Sequence, residues 1–141
     1  MKAKIRIFQE GDQEPVIGLW RDCGLVVPWN DPAKDIQRKL EDSPELFLVA
    51  ETEGFVAGSC MAGYDGHRGW IFYMAVQPDQ QGCGIARALL DHAETVLKER
   101  GCPKVELMVR DTNTKVLEFY RHLGYSDEPV KVLGKRLIPD E

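Results

Sequence analysis

The stretch from Trp70 to Arg110 constrains the fold most. WIFYMAV (70–76) is an apolar run of strand length, and a glycine-rich turn, QQGCG, follows it. From Gly84 to Gly101, Ile85, Leu89, Ala93 and Leu97 recur at i, i+4, i+8 and i+12, flanked by Ala86, Leu90 and Val96. That spacing makes one apolar helical stripe. Gly101 suits a helix C-cap, and Pro103 prevents continuation. Lys104–Arg110 then reads as a further strand. A strand, a helix and a second strand in this order bury the helix against a sheet.

The rest of the chain fits around that unit. Lys4–Phe8 alternates basic and apolar residues, a strand of period two. Asp12 can cap a helix with Pro15 in its first turn, where Val16, Leu19, Trp20 and Cys23 form an apolar face. The loop Gly24–Pro32 leads to a charged helix, Pro32–Glu41, with Ile36 and Leu40 inward, and Ser43-Pro44 stops it. Leu46–Thr52 and Phe55–Ala62 read as strands joined by a tight turn at Glu53-Gly54. GYDGHRG (63–69) links the second of them to the Trp70–Val76 strand. Asn113–Leu123 is a helix ended by Gly124, and Val130–Ile138 is expected to contain a last strand, or two. Hairpins in the first half and β-α-β units in the second indicate an α/β fold. We expect a mixed sheet of six to seven strands with helices on both faces, in one domain spanning residues 1–141.

Charge and composition exclude some roles. Eighteen Lys and Arg against 23 Asp and Glu give a net charge of −5, and no basic stretch stands out, which argues against nucleic acid as the main partner. The four cysteines form no C-x-x-C pair. The start, MKAKIRIFQEGD, lacks the apolar core of a signal peptide, and no run has the length of a membrane span. A reduced cytoplasmic protein is the simplest expectation.

The turn at Gln80–Leu90 carries the first chemical signal. A glycine-rich turn opening a helix lets backbone N–H groups converge on an anion, which points to a phosphate-bearing ligand. The Walker pattern is absent, and the dinucleotide fingerprint would need glycine where Arg87 stands. The competing reading is a helix start that merely needs small residues. Cys83 in that turn reads as such a small residue rather than as a nucleophile.

Gln81-Gly82-Cys83-Gly84-Ile85-Ala86 resembles [QR]-x-x-G-x-[GA], the acyl-CoA pyrophosphate loop of the GNAT acetyltransferases. VQPDQ before it resembles that family's strand end. NTKVLEFYRHLGY resembles its N-x-x-A-x-x-x-Y-x-x-x-G-[FY] segment through Asn113, Tyr120, Gly124 and Tyr125. The segments PWNDP, GYDGHRG, RGCPK and LGKRL further resemble small bacterial YpeA-type members. The resemblance runs along nearly the whole chain and implies a GNAT fold with a twisted, mostly antiparallel sheet.

The resemblance also implies an activity: transfer of an acetyl group from acetyl-CoA, without a metal, to a primary amine of a small molecule or protein. Met74, Ala75 and Val76 would pair with the pantetheine arm, and an amide near Ala75 or Val76 would stabilise the oxyanion. Gln81, Gly82, Cys83, Gly84, Ile85, Ala86 and Arg87 would hold the pyrophosphate. Asn113 would position the cofactor, and Tyr120 would protonate the leaving thiolate. Tyr120 shares a helical face with Val116, Phe119 and Leu123, so a plain core role competes, and Asn113 also suits an N-cap.

Two positions depart from the family pattern. Val116 stands where alanine is usual, and Met108 where many members carry a glutamate base; Glu106 is one strand step away. The Trp70–Val76 strand has no carboxylate either. By elimination the base is sought in loops, at His67 or Asp65. Trp29, Asn30, Asp31, Tyr64 and Arg68 are candidates for the acceptor side. A non-catalytic acyl-CoA sensor and a nucleotide-binding module are the alternative readings, and a monomer or homodimer is expected.

Overall fold

The computed structural model describes residues 2–140. Five strands form one sheet in the order β1 (Lys4–Ile7), β2 (Phe47–Thr52), β3 (Phe55–Tyr64), β4 (Gly69–Val76) and β5 (Val105–Leu107). The first four pair antiparallel, and β5 runs parallel to β4. Four helices cover the sheet: α1 (Gln13–Asp22), α2 (Pro32–Glu41), α3 (Ile85–Glu99) and α4 (Thr114–His122).

Side chains alternating along each strand feed two cores, one on each face. Leu48, Ala50, Cys60 and Ala62 meet Leu89, Leu90 and Leu97 of α3, with Tyr120 of α4 on the same side. Phe47, Val49 and Met61 meet Val16, Leu19 and Trp20 of α1 and Ile36 of α2. Asp12 stands at the start of α1, but its carboxylate turns back to Arg6 (2.7 Å) and to the Gln9 amide (2.8 Å) instead of capping the helix.

The sheet has five strands where six to seven were expected. Val130–Ile138 forms no strand, and β5 covers only Val105–Leu107 of the expected Lys104–Arg110. A strand exists only where a neighbour offers a ladder, and β5 presents just three residues to a further partner. Gly134 and the lysines at 131 and 135 weaken the apolar pattern further. Val130, Val132, Leu133 and Leu137 stay exposed. A cavity of about 1320 Å³ lies beyond β5, walled by Glu106, Tyr125 and Val132 among others. Side chains pin the tail instead. Arg136 donates to Asn30 (2.5 Å), and Arg38 of α2 donates twice to Asp140 (2.8 and 2.9 Å).

Candidate active site

The site begins with a fault in β4. Ser59 faces Ala75 and Met61 faces Phe72, so β4 carries one extra residue opposite Cys60. Tyr73 absorbs it with φ +51°, a left-handed conformation uncommon for an aromatic residue. The bulge resets the alternation. Ile71, Met74 and Val76 face α3, while Tyr73 and Ala75 face α1. β4 and β5 pair only over Gly69–Ile71, so the outer edge of β4 is open from Phe72 onward.

That open edge has backbone groups to offer. The Gln77 amide donates to the Ala57 carbonyl (2.8 Å), and Ala75 lies opposite Ser59. Antiparallel pairing alternates, so the amide and carbonyl of Val76, between Ala75 and Gln77, turn away from β3. The Val76 carbonyl accepts from Cys23 Sγ and from Gln81 Nε2, both at 3.2 Å, and the latter ties the glycine turn to the strand end. In that turn Gly82 and Gly84 both have φ +83°, and a Cβ on either would meet nothing within 4 Å. The first bond of α3 runs from the Ala88 amide to the Gly84 carbonyl (3.0 Å), leaving Ile85, Ala86 and Arg87 amides without helical partners. Ile85 anchors the turn in the core, while Gln81, Gly82, Cys83 and Arg87 are exposed. This cradle fits a phosphate group by its chemistry and its free space.

A cavity of about 770 Å³ opens at the split between β4 and β5. One wall includes Met74, Met108, Val116, Asn113 and Tyr120. Tyr120 is only 7% exposed and lies edge-on to Phe119 and Tyr125. Burial pushes its phenol up to about 12, with a smaller contribution from Cys60. Among the described residues no buried side-chain N or O lacks a hydrogen-bond partner. Since the Tyr120 hydroxyl makes no such bond, it opens to the cavity. Asn113 both lines the cavity and caps α4 through the Val116 amide (3.4 Å).

The facing wall comes from α2. Asp35, Arg38, Lys39 and Asp42 line it, with Asn30 beside them. The Tyr73 hydroxyl donates to Asp35 Oδ2 at 2.6 Å, and burial together with this carboxylate raises the phenol's pKa. Burial depresses the Lys39 ammonium, whose Nζ donates to the Ala62 carbonyl at 2.5 Å. Apart from Asn30, none of these residues was expected at the site from the sequence. Asp35 and Lys39 stand at i and i+4 on one helical stripe, with Asp42 just past the end of α2.

The hairpin residues lie elsewhere. Asp65 Oδ1 accepts the amides of His67 (2.8 Å) and Arg68 (2.7 Å), an Asx turn that holds its carboxyl below the usual range. His67 is exposed, and Arg68 reaches Glu106 at 3.8 Å. The Tyr64 hydroxyl donates to the Gly101 carbonyl at 3.4 Å, Asp31 caps α2 through the Ala33 amide (3.0 Å), and Trp29 is exposed. None of these six residues lines the cavity.

The family model described as "Acetyltransferase (GNAT) family" matches residues 10–125. A protein named acetyltransferase from Yersinia pestis (strain Pestoides F) is 53% identical over 138 residues, covering 98% of each chain. Among solved structures, the ribosomal-protein-S18-alanine N-acetyltransferase from Escherichia coli superposes with a TM-score of 0.74 at 23% identity, over 89% of this chain and 79% of that one. AAC(6')-Iy in complex with a bisubstrate analogue, CoA-S-monomethyl-acetylneamine, superposes with a TM-score of 0.79 at 19% identity, over 96% and 99%. At these identities the two structures speak for the fold alone. No helix among the described residues is long and apolar enough to cross a membrane.

Proposed function

The chain belongs to the acetyltransferase (GNAT) family, and from that membership we propose that it moves the acetyl group of acetyl-CoA to a primary amine of a small molecule or protein. The amine attacks directly, with both substrates bound. One observation carries the reading. The Tyr120 hydroxyl opens into a cavity at the same β4 edge whose far end holds the glycine cradle.

Acetyl-CoA supplies the activated acyl group as a thioester. The chain's own residues do the rest. The amides of Gly82–Arg87 receive the pyrophosphate at the positive end of α3. Met74 and Val76 offer an extended arm the backbone groups that a neighbouring strand would take. The Val76 amide, turned away from β3, is the donor for negative charge developing on the carbonyl oxygen; the Ala75 amide points toward Ser59. Asn113 borders the reacting centre. Tyr120 stays protonated throughout the neutral range and hands its proton to the departing thiolate. The base sought at His67 or Asp65 finds no support from the cavity's lining, where the carboxylates are Asp35 and Asp42.

Calorimetry with acetyl-CoA tests the reading. Saturable binding below millimolar concentration is expected, followed by thiol release when a panel of amines is added. No heat up to millimolar acetyl-CoA sinks it.

A further inference from the structure

We propose that Asp35 is the acceptor-binding carboxylate, and that the acceptor enters as a primary alkylammonium held against the β4 bulge. This rests on the acetyl-transfer reading and adds the substrate's charge and its docking point.

Of the two carboxylates that line the cavity, Asp35 is the one bonded to β4. Asp42 sits at the end of α2, exposed, beside Ser43 Oγ. Asp35 is held at the end of a chain of contacts. Trp20 Nε1 donates to Ser59 Oγ (2.8 Å), which donates to the Tyr73 carbonyl (2.8 Å). The Tyr73 ring stacks on Trp20 at 3.8 Å, and its hydroxyl reaches Asp35. Two of these links, at the Tyr73 carbonyl and the Tyr73 hydroxyl, come from the bulged residue itself.

The charge on Asp35 remains available. A carboxylate has about four acceptor sites, and Asp35 gives one to Tyr73 and a long one to Arg38 (3.2 Å). Arg38 is drawn off to Asp140 by two shorter bonds, and Lys39 commits its Nζ to Ala62. The Asp35 side chain is 25% exposed, turned to the cavity that Met74 and Tyr120 wall from the other side.

The role is recognition and placement. The ammonium proton leaves to water. The free amine then forms the C–N bond and the C–S bond breaks; the thiolate takes the Tyr120 proton, and the second proton shed by the acylated nitrogen restores the phenol.

The test uses CoA thioethers and needs no known acceptor. S-(2-Aminoethyl)-CoA and S-(3-aminopropyl)-CoA carry an ammonium where the attacking amine would sit; S-propyl-CoA and S-butyl-CoA are their neutral counterparts. By calorimetry the intact protein is expected to prefer the ammonium form at one tether length by about tenfold, the range of a charge-assisted bond. In Asp35→Asn, which keeps an acceptor for Tyr73, that preference disappears while affinity for the neutral thioether is unchanged. Equal binding of charged and neutral forms to the intact protein overturns the assignment to Asp35, as does a preference that survives Asp35→Asn. If none of the four thioethers binds, the acetyl-CoA reading itself has failed.

Discussion

At the scale of single residues, Tyr120 holds the most chemistry for its size. Its ring belongs to the core and its hydroxyl to the cavity, so a core role leaves room for the proposed catalytic one. Tyr120→Phe keeps the ring and removes the proton donor. Turnover should fall by about 10²–10⁴ while calorimetric affinity for acetyl-CoA holds; unchanged turnover removes the general-acid role. Tyr120 and Asn113 were readable as candidates because both stand in one short segment at fixed spacing. Asp35 escaped notice because an acidic residue on a charged amphipathic helix is ordinary until its neighbours are known. His67 and Asp65 attracted attention through their functional groups; the Asp65 carboxylate closes the turn, and His67 is exposed.

At the scale of elements, the site depends on how closely α3 approaches the sheet. Gly58 of β3 makes this possible. A Cβ there would lie 2.9 Å from the Ala75 carbonyl oxygen and 3.1 Å from side-chain atoms of both Ile85 and Leu89. Gly58→Ala must therefore push the start of α3, and the glycine cradle with it, away from β4. Denaturant unfolding should show a loss of about 1–3 kcal/mol, as for other overpacked cores, and acetyl-CoA affinity should drop in parallel. Loss of neither means that the cradle tolerates displacement. The helices and hairpins were legible from periodicity and turn residues. The bulge at Tyr73 was not, because WIFYMAV reads as an uninterrupted strand and the extra residue shows only against β3. The expected strand at Val130–Ile138 failed for a complementary reason: pairing depends on an edge that β5 is too short to supply, and Gly134 interrupts the segment's own pattern.

At the scale of the whole molecule, the tail is fastened to α2 and to Asn30 before it. Asp140 has a side chain only 1% exposed, and the Arg38 guanidinium holds its carboxyl below the usual carboxylate range. A carboxyl depressed in the folded state adds stability above its unfolded value near 3.9 and loses it as pH falls through the folded value. Asp140→Asn should therefore lower the Tm at pH 7, and the gap to the intact protein should close in thermal melts below about pH 4. A gap independent of pH refutes the ion pair's contribution. The same change frees Arg38 to close on Asp35, so the preference for ammonium thioethers should shrink with it. What the sequence by itself determined were the features written in consecutive residues: helical stripes, strand runs, the glycine turn and the spacing from Asn113 to Tyr125. Backbone preference and side-chain periodicity act locally and can be read locally. Only the tertiary structure decided that Tyr73 and Asp35, 38 positions apart, share a hydrogen bond, that β4 stands open beside them, and that the tail crosses to α2. Those outcomes depend on which surfaces meet once two cores have closed, and no short stretch of the chain contains both partners.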